Sequence, residues 1–330
     1  MTKKNIAIVV GGDSSEYVVS MKSGANVIQA IDRERFTPWM VKMRNGVWEV
    51  IDGENKIADM NKSDFSFTLD GMHIQLEYAY IIIHGSPGEN GILQGYFDLL
   101  GIPYSSSSTG ASALTFNKYY CNNFLRSAGI EMARSFHLVK GDDYDVDEIL
   151  AELGLPIFVK PNAGGSSFGV TKVKMADELH PAIERAFEED REVLVEEFIS
   201  GTEFTCGLAK IGQKKLVFPA TEVIPKNEFF NYESKYVAGM AEEITPARIS
   251  EEAMLEIQTL SSRIYDLCDC NGIVRIDFIR HDGRFYFLEV NTIPGMTGTS
   301  FIPQQVAAMG LDLKELITEI IEEGITDPKA

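Results

Sequence analysis

The 330-residue sequence has no apolar run approaching the roughly 20 residues that a membrane-spanning helix needs, which excludes a helical membrane protein. Basic residues are in deficit: 30 Lys and Arg stand against 49 Asp and Glu, a formal net charge of −19. So acidic a surface repels nucleic-acid backbones and anionic lipid headgroups, so neither is an expected partner. Cysteine is also sparse. Cys121, Cys206, Cys268 and Cys270 are scattered, Cys268 and Cys270 lie too close together for a common zinc spacing, and no histidine pair accompanies them. Reduced thiols in a cytoplasmic protein are the simplest account. The basic start, Met1 to Asn5, followed by apolar Ile6 to Val10, imitates the front of a signal peptide. Gly11, Gly12 and acidic Asp13 then stop the run, so a buried first strand is expected instead.

What is present is ordinary globular material, 45% hydrophobic and 24% charged, in a chain too long for one core. Residues 6–10 and 78–83 read as buried strands, 20–31 and 91–100 as helices. Strand and helix alternate, which predicts a parallel sheet with ligand loops at its carboxyl ends, after Val10 and after Ile83. Those loops carry Glu16, and His84 with Glu89. Residues 36–44 and 47–51 flank Asn45-Gly46, a strong hairpin signal. A Ser/Thr/Gly stretch at 105–112 marks a boundary. Beyond it, helices are expected at 117–128, 176–189, 251–267, 303–310 and 313–323. The expected strands are 156–160, 170–173, 193–198, 205–210, 216–223, 273–280 and 285–289. The division is 1–110, 111–200 and 201–330, an α/β protein with an N-terminal parallel-sheet domain.

Four constellations carry chemistry. Lys160-Pro161 precedes a loop containing Gly164, Gly165 and Gly169, whose backbone N–H groups can approach phosphate oxygens; a hairpin lid over a nucleotide fits, and so does a plain surface hairpin. Arg275-x-Asp277 and Glu289-x-Asn291 each place two polar groups on one strand face. If the turn at Asp282-Gly283 pairs these strands, Asp277, Glu289 and Asn291 offer the hard oxygens that Mg²⁺ prefers. Ser300 has the look of an N-cap, with Pro303 in the first helical turn; such a helix start can seat a carboxylate or be merely capped. Finally, apolar Val193 to Val195 run into Glu196, Glu197 and Glu203, which either read an adenine edge and ribose hydroxyls or form a solvated strand end.

In this order the motifs resemble those of the ATP-grasp superfamily, and of the D-alanine–D-alanine ligases within it. The matching stretches span nearly the whole chain. They are Gly11-Gly12-x-Ser14-x-Glu16 with Val19-Ser20 and Ser23-Gly24; His84-Gly85-x-x-Gly88-Glu89-x-Gly91; Lys160-Pro161 with Gly165-Ser166-Ser167-x-Gly169; Glu196 to Gly201-x-Glu203-Phe204-Thr205; Tyr232-Glu233-x-Lys235-Tyr236; Arg275-x-Asp277; and Glu289-x-Asn291-Thr-x-Pro-Gly-Met-Thr. The resemblance implies a three-domain ATP-grasp architecture that ligates two D-alanine molecules through a D-alanyl-phosphate for peptidoglycan precursors, with two Mg²⁺ or Mn²⁺.

By the same resemblance, Lys118 and Lys160 contact the nucleotide phosphates. Glu196, Glu197 and Ile199 surround adenine, Glu203 holds ribose, and Lys235 approaches the γ-phosphate. Asp277, Glu289 and Asn291 hold the metals. Glu16 takes the first substrate's ammonium group, and Ser166 with Tyr236 completes its hydrogen-bonded cluster. Arg275 and the Gly295 N–H form an oxyanion hole. His84, Ser300 and the backbone near Phe301 bind substrate. Residues 226–239, carrying Lys235 and Tyr236, are the expected lid.

The sequence departs from the family pattern at Tyr17-Val18, Asn90 and Phe301, and residues 45–71 are longer than in compact members. Another ATP-grasp carboxylate–amine ligase, a ligase that uses D-lactate, and a non-catalytic nucleotide sensor remain as alternatives. A homodimer is left open.

Overall fold

The computed structural model describes residues 3–164, 169–225 and 241–326. They form three sheets. The first has seven strands: β1 (Lys4–Gly11), β2 (Phe36–Arg44), β3 (Val47–Asp52), β4 (Asn55–Asn61), β5 (Ser66–Leu69), β6 (Met72–Gln75) and β7 (Tyr78–Ile81), in the order β6-β5-β4-β3-β2-β1-β7. Ile6 to Val10 are fully buried, as a central strand covered on both faces requires. The sheet is mixed, which narrows the expectation of a parallel one. Only β2-β1-β7 run parallel; β3 to β6 extend the edge as antiparallel hairpins. Their short turns cannot return a parallel strand, which needs a crossover. At Asn45-Gly46 both residues have positive φ, 49° and 73°, as a two-residue hairpin turn demands.

The second sheet comprises β8 (Ser135–Val139), β9 (Ile157–Pro161), β10 (Thr171–Val173) and β11 (Glu192–Glu197), ordered β10-β9-β11-β8. The helices Val146–Leu153 and Leu179–Glu189 close its own core around Ile157, Val159, Ile183 and Val195. The third comprises β12 (Thr202–Ile211), β13 (Lys214–Val217), β14 (Thr221–Pro225), β15 (Ala241–Ile244), β16 (Ile273–His281) and β17 (Arg284–Asn291), ordered β15-β14-β12-β16-β17 with β13 on β12. The single strand expected at 216–223 is two strands, split around Pro219. Proline has no N–H for a central ladder, and Phe218 turns its own N–H to Gly207 O at 2.9 Å before β14 begins.

Packing joins the sheets unequally. Ile6, Ile8 and Tyr80 of the first share a core with Phe218, Ile273 and the helix Leu313–Thr326. The helix Lys118–Ser127 precedes the second sheet in the chain, yet Cys121 and Leu125 bury among Phe204, Ile276 and Phe287 of the third. All four cysteines are free and buried. No helix among the described residues is long and apolar enough to cross a membrane.

The Ser/Thr/Gly stretch at 105–112, expected as a boundary, also acts as a latch. Ser107 and Ser112 are completely buried, and the helix Thr109–Phe116 starts within the stretch. Ser105 Oγ accepts the Ile81 N–H at 3.0 Å, and Ser107 Oγ accepts the Asn271 N–H at 3.0 Å, so serines stitch the first sheet to the third. Hydroxyls small enough to bury make that stitch, and composition alone cannot distinguish this from a solvated linker. Gly272 lies against it with φ of 65°, and a Cβ there would sit 2.0 Å from Ser105 O. Gly272→Ala should therefore destabilise the fold by about 2–4 kcal/mol. Gly283→Ala, with φ of 83° and nothing within 4 Å, should lose only about 1 kcal/mol of conformational strain. Denaturant midpoints check the ranking, and equal losses would refute the latch.

Candidate active site

The loops after β1 and β7 are held together before any ligand is considered. Gly11 presses so closely on Met43 that a Cβ would lie 2.3 Å from its carbonyl oxygen. Ser20 Oγ accepts the Gly11 N–H at 2.8 Å and donates to Ile82 O at 2.6 Å. Ser14 Oγ donates to His84 O at 2.8 Å and accepts the Glu16 N–H at 3.2 Å. Glu16 thereby occupies the N-cap position of the helix Tyr17–Ala30, without its carboxylate capping that helix.

His84 is buried, and its Nδ1 lies 2.9 Å from Ile293 O. A carbonyl only accepts, so Nδ1 carries the proton and Nε2 is the basic nitrogen. Nε2 is buried with no hydrogen-bond partner among the described residues. Burial lowers the His84 pKa, and the nearby Glu16 charge opposes the shift only in part. Glu89 accepts the Gly85 N–H at 2.7 Å. Its side chain keeps a little water contact but is enclosed by protein. Desolvation, reinforced by the Glu16 charge, pushes its carboxyl up to about 8 despite that N–H and Arg275.

The strands β16 and β17 pair antiparallel with Arg275 opposite Asn291 and Asp277 opposite Glu289. Arg275 forks onto Asp277, Nε to Oδ1 at 2.9 Å and Nη2 to Oδ2 at 2.8 Å, while Asn291 Nδ2 donates to Asp277 Oδ2 at 3.0 Å. The register slips between Asp277 and Phe278, where Phe278 faces Phe287. Leu288 is the extra residue of this bulge. Phe285 and Phe287 point into the core, and strict alternation would send Glu289 after them. The bulge instead turns Glu289 and Asn291 to the side of Arg275 and Asp277, a step that strand periodicity alone misses.

The donors are two carboxylates and an amide; among the described residues no cluster of three or more His, Cys, Asp or Glu forms a metal site. Hard oxygens that leave positions open fit a Mg²⁺ shared with phosphate. A carboxylate has about four lone-pair positions, so Asp277 is not exhausted by its three hydrogen bonds.

From β17 the chain crosses to the first sheet's helix. The Met296 N–H donates to Ser23 Oγ at 3.2 Å, and Asn26 Nδ2 donates to Met296 O at 2.7 Å. Ser300 holds the N-cap position of the helix Phe301–Ala308, as expected, and its carbonyl accepts the Gln304 N–H at 3.3 Å, but its hydroxyl does not cap the helix. It turns back to accept the Thr297 N–H at 3.0 Å, and a Cβ on Gly295 would lie 2.9 Å from it. Phe301, which departs from the family pattern, sets its ring centre 5.6 Å from the Arg275 guanidinium carbon.

On the second sheet, Lys160 Nζ pairs with Glu196 at 2.6 Å, both largely buried. Lys118 Nζ donates to Gly164 O at 2.8 Å. Glu197 is engaged structurally: Arg134 holds its Oε2 through Nε at 2.8 Å and Nη2 at 2.7 Å, and the Arg134 N–H donates to Oε1 at 2.8 Å. That fork fixes the direction of the carboxylate and leaves it little further capacity to accept. Half-buried Ile199 follows β11, and half-buried Glu203 sits on β12 opposite Ile279. Ser166, Lys235 and Tyr236, with the expected lid at 226–239, fall outside the described residues. Sequence reasoning passed over Arg134, for which no local signal exists, and treated Glu89 only as a polar loop group.

The raised Glu89 pKa fixes a pH dependence. The folded protein retains this proton between about pH 4.5 and 8, whereas the unfolded chain has lost it. Its contribution to stability is complete below the unfolded value and disappears as pH rises through 8. Glu89→Gln should flatten the fall in Tm between pH 5 and 8. Parallel Tm curves for the two proteins would contradict the assignment.

The family model described as D-ala D-ala ligase N-terminus matches residues 5–107, and that described as D-ala D-ala ligase C-terminus matches residues 124–322. A D-alanine–D-alanine ligase from Phocaeicola vulgatus is 53% identical over 321 residues, 97% of this chain and 99% of the relative. Among solved structures, the VanG D-Ala:D-Ser ligase from Enterococcus faecalis has a TM-score of 0.87 at 33% identity, covering 97% of this chain and 99% of that one. The D-alanine–D-alanine ligase from Bacillus anthracis complexed with ATP has a TM-score of 0.79 at 31% identity, covering 99% and 98%. With both halves matched by one family's models and a relative of this identity along nearly its full length, the chain belongs to the D-alanine–D-alanine ligase family.

Proposed function

We propose that this chain uses ATP to join two D-alanine molecules into D-alanyl-D-alanine, a cytoplasmic step that supplies peptidoglycan synthesis. The observation that carries the reading is the in-register set Arg275, Asp277, Glu289 and Asn291, linked through Ile293 and Met296 to the loops bearing His84 and the helix behind Glu16. A carboxylate is a weak electrophile, so the first D-alanine is phosphorylated by ATP before an amine attacks it. Glu16 holds the first ammonium group, with Ser166 and Tyr236 completing that cluster, and neutral His84 accepts a hydrogen bond at Nε2.

Lys118, Lys160 and Lys235 bind the phosphates. An ammonium has three donors, so Lys160 reaches a phosphate while keeping Glu196. Glu196, Glu197 and Ile199 border adenine, and Glu203 takes the ribose hydroxyls. Asp277, Glu289 and Asn291 would hold two Mg²⁺ or Mn²⁺, which when bound supply positive charge beside the phosphates. Arg275 and the Gly295 N–H stabilise the oxyanion formed as the second amine attacks. Ser300 and the backbone at Phe301 take the second carboxylate. The working units are 1–110, 111–200 and 201–330, with residues 226–239 as lid. The 53% identity to a D-alanine–D-alanine ligase favours D-alanine over D-serine or D-lactate as acceptor.

The test is ADP release on addition of D-alanine, with products separated by mass when D-alanine, D-serine and D-lactate compete equally near neutral pH. The dipeptide of D-alanine should predominate; a predominant ester or D-serine product would overturn the acceptor, and D-alanine-independent ADP release would overturn the ligase reading. Glu289→Ala should abolish ADP formation while retaining the melting profile of a folded protein. Near-normal turnover of that variant at ordinary Mg²⁺ would sink the metal assignment.

A further inference from the structure

The two lysines placed at the phosphates ride on different bodies. Lys160 is on β9 in the core of the four-stranded sheet. Lys118 opens the helix whose Cys121 and Leu125 belong to the core of the six-stranded sheet. Something must fix their separation, because a nucleotide bound by both would otherwise have to order two bodies itself, at a cost in affinity.

Asn162 makes the join. It is 1% exposed and follows Lys160-Pro161 directly. Its backbone oxygen accepts the Lys118 N–H at 3.3 Å, and its Oδ1 accepts the Tyr119 N–H at 2.8 Å. Asn117 Oδ1 accepts the next N–H, that of Tyr120, at 2.9 Å. The first three N–H groups of this helix, ordinarily orphans, are thus all taken by two asparagines. Phosphate therefore meets the Lys118 side chain here, with the helix amides already committed.

On its other side Asn162 is anchored to the four-stranded sheet. Its N–H donates to Glu192 O at 2.9 Å and its Nδ2 to Glu192 Oε2 at 3.0 Å. The same carboxylate lies 3.1 Å from His137 Nε2, and the His137 ring stacks on Tyr119 with centroids 3.9 Å apart and planes 10° apart. The circuit Tyr119–Asn162–Glu192–His137–Tyr119 closes on itself across the two bodies.

We propose that Asn162 is a positioning residue for the nucleotide, holding Lys118 at a set distance from Lys160 across the joint between the two sheets. The inference rests on the assignment of Lys118 and Lys160 to the phosphates. Removing the amide leaves the Tyr119 N–H and a Glu192 oxygen without their partner, and Asn162→Ala should raise the KM for ATP about 10-fold. The KM for D-alanine should rise clearly less, since Glu16, His84, Arg275 and Ser300 lie on other elements and only Ser166 follows Asn162 in the chain.

Asn162→Asp should be worse, because two carboxylates then face each other. Asn162→Asp combined with Glu192→Gln exchanges donor and acceptor: the aspartate still accepts from Tyr119, and the glutamine amide donates back to it. This pair should recover most of the KM for ATP. The measurements are steady-state kinetics in ATP and in D-alanine, with melting curves, on the full-length variants and on Lys118→Ala. A raised KM for ATP in Asn162→Ala, reversed in the exchanged pair, supports the inference. Recovery of melting temperature without recovery of KM for ATP makes Asn162 merely structural and overturns it. So does an unchanged KM for ATP in Asn162→Ala when Lys118→Ala raises it. If Lys118→Ala itself leaves the KM for ATP unchanged, the phosphate assignment fails first, and the inference with it.

Discussion

Pairing of β16 with β17 is the constraint on which the candidate site depends. It puts Asp277 across from Glu289 and Arg275 across from Asn291, and a slip of β17 by one residue would send Glu289 and Asn291 to the face opposite Arg275 and Asp277. The turn at Asp282-Gly283, with φ of 47° and 83°, starts the register. Phe278, Phe285 and Phe287 pack edge to face behind it and resist slippage. Register alone is not sufficient, however. The buried face reads Phe285, Phe287, Val290, a change of phase that only the extra residue Leu288 can produce. The bulge thus reconciles two demands on one strand, an aromatic core at its start and a polar site at its end.

Much of this was legible because it rests on local chemistry. Asn-Gly and Asp-Gly turns announce their hairpins, and the apolar run at Ile6 to Val10 announces a central strand. The oxygen donors on two adjacent strands were also visible as a pair. What stayed hidden depends on contacts distant in sequence. Whether Ser107 is solvated or buried is decided by Asn271, 164 residues away. The use of Glu197 is decided by Arg134. The Ser300 hydroxyl had a local alternative in Thr297, and a capping rule written for isolated helices does not weigh that competition. The mixed character of the first sheet, by contrast, could have been drawn from the short loops between β2 and β6.

Placing an anionic nucleotide on a chain of formal charge −19 is an electrostatic problem, and the structure answers it locally. Among the described residues, three cations of the candidate site are tethered by a defined partner: Lys160 by Glu196, Lys118 by the Gly164 carbonyl, Arg275 by Asp277. Such pairs hold the cations in place at the expense of desolvation, which makes them a poor source of stability and a good source of geometry. A lysine left in solvent on so acidic a surface would find carboxylates in many directions. Fixing Lys160 on a carboxylate and Lys118 on a loop carbonyl restricts the directions that their remaining donors can serve.

The same reasoning applies on the amino-acid side, where the charges are negative. Glu16 and Glu289 both lie close enough to act on Glu89. Were all three ionised, the cleft would concentrate anions exactly where a substrate carboxylate must be phosphorylated. Burial relieves this by keeping the proton on Glu89 up to about pH 8, so that at neutral pH it is mostly an uncharged neighbour to Glu16. His84 complements it from the other side, since burial keeps it neutral and Nε2 remains an acceptor. With Glu89 and His84 both uncharged, the Glu16 charge is what would select an ammonium group on the proposed reading of this cleft. On that proposal the first amino acid is oriented by its amine toward the loops of the first sheet, which leaves its carboxylate to face Arg275 and the donors of the hairpin.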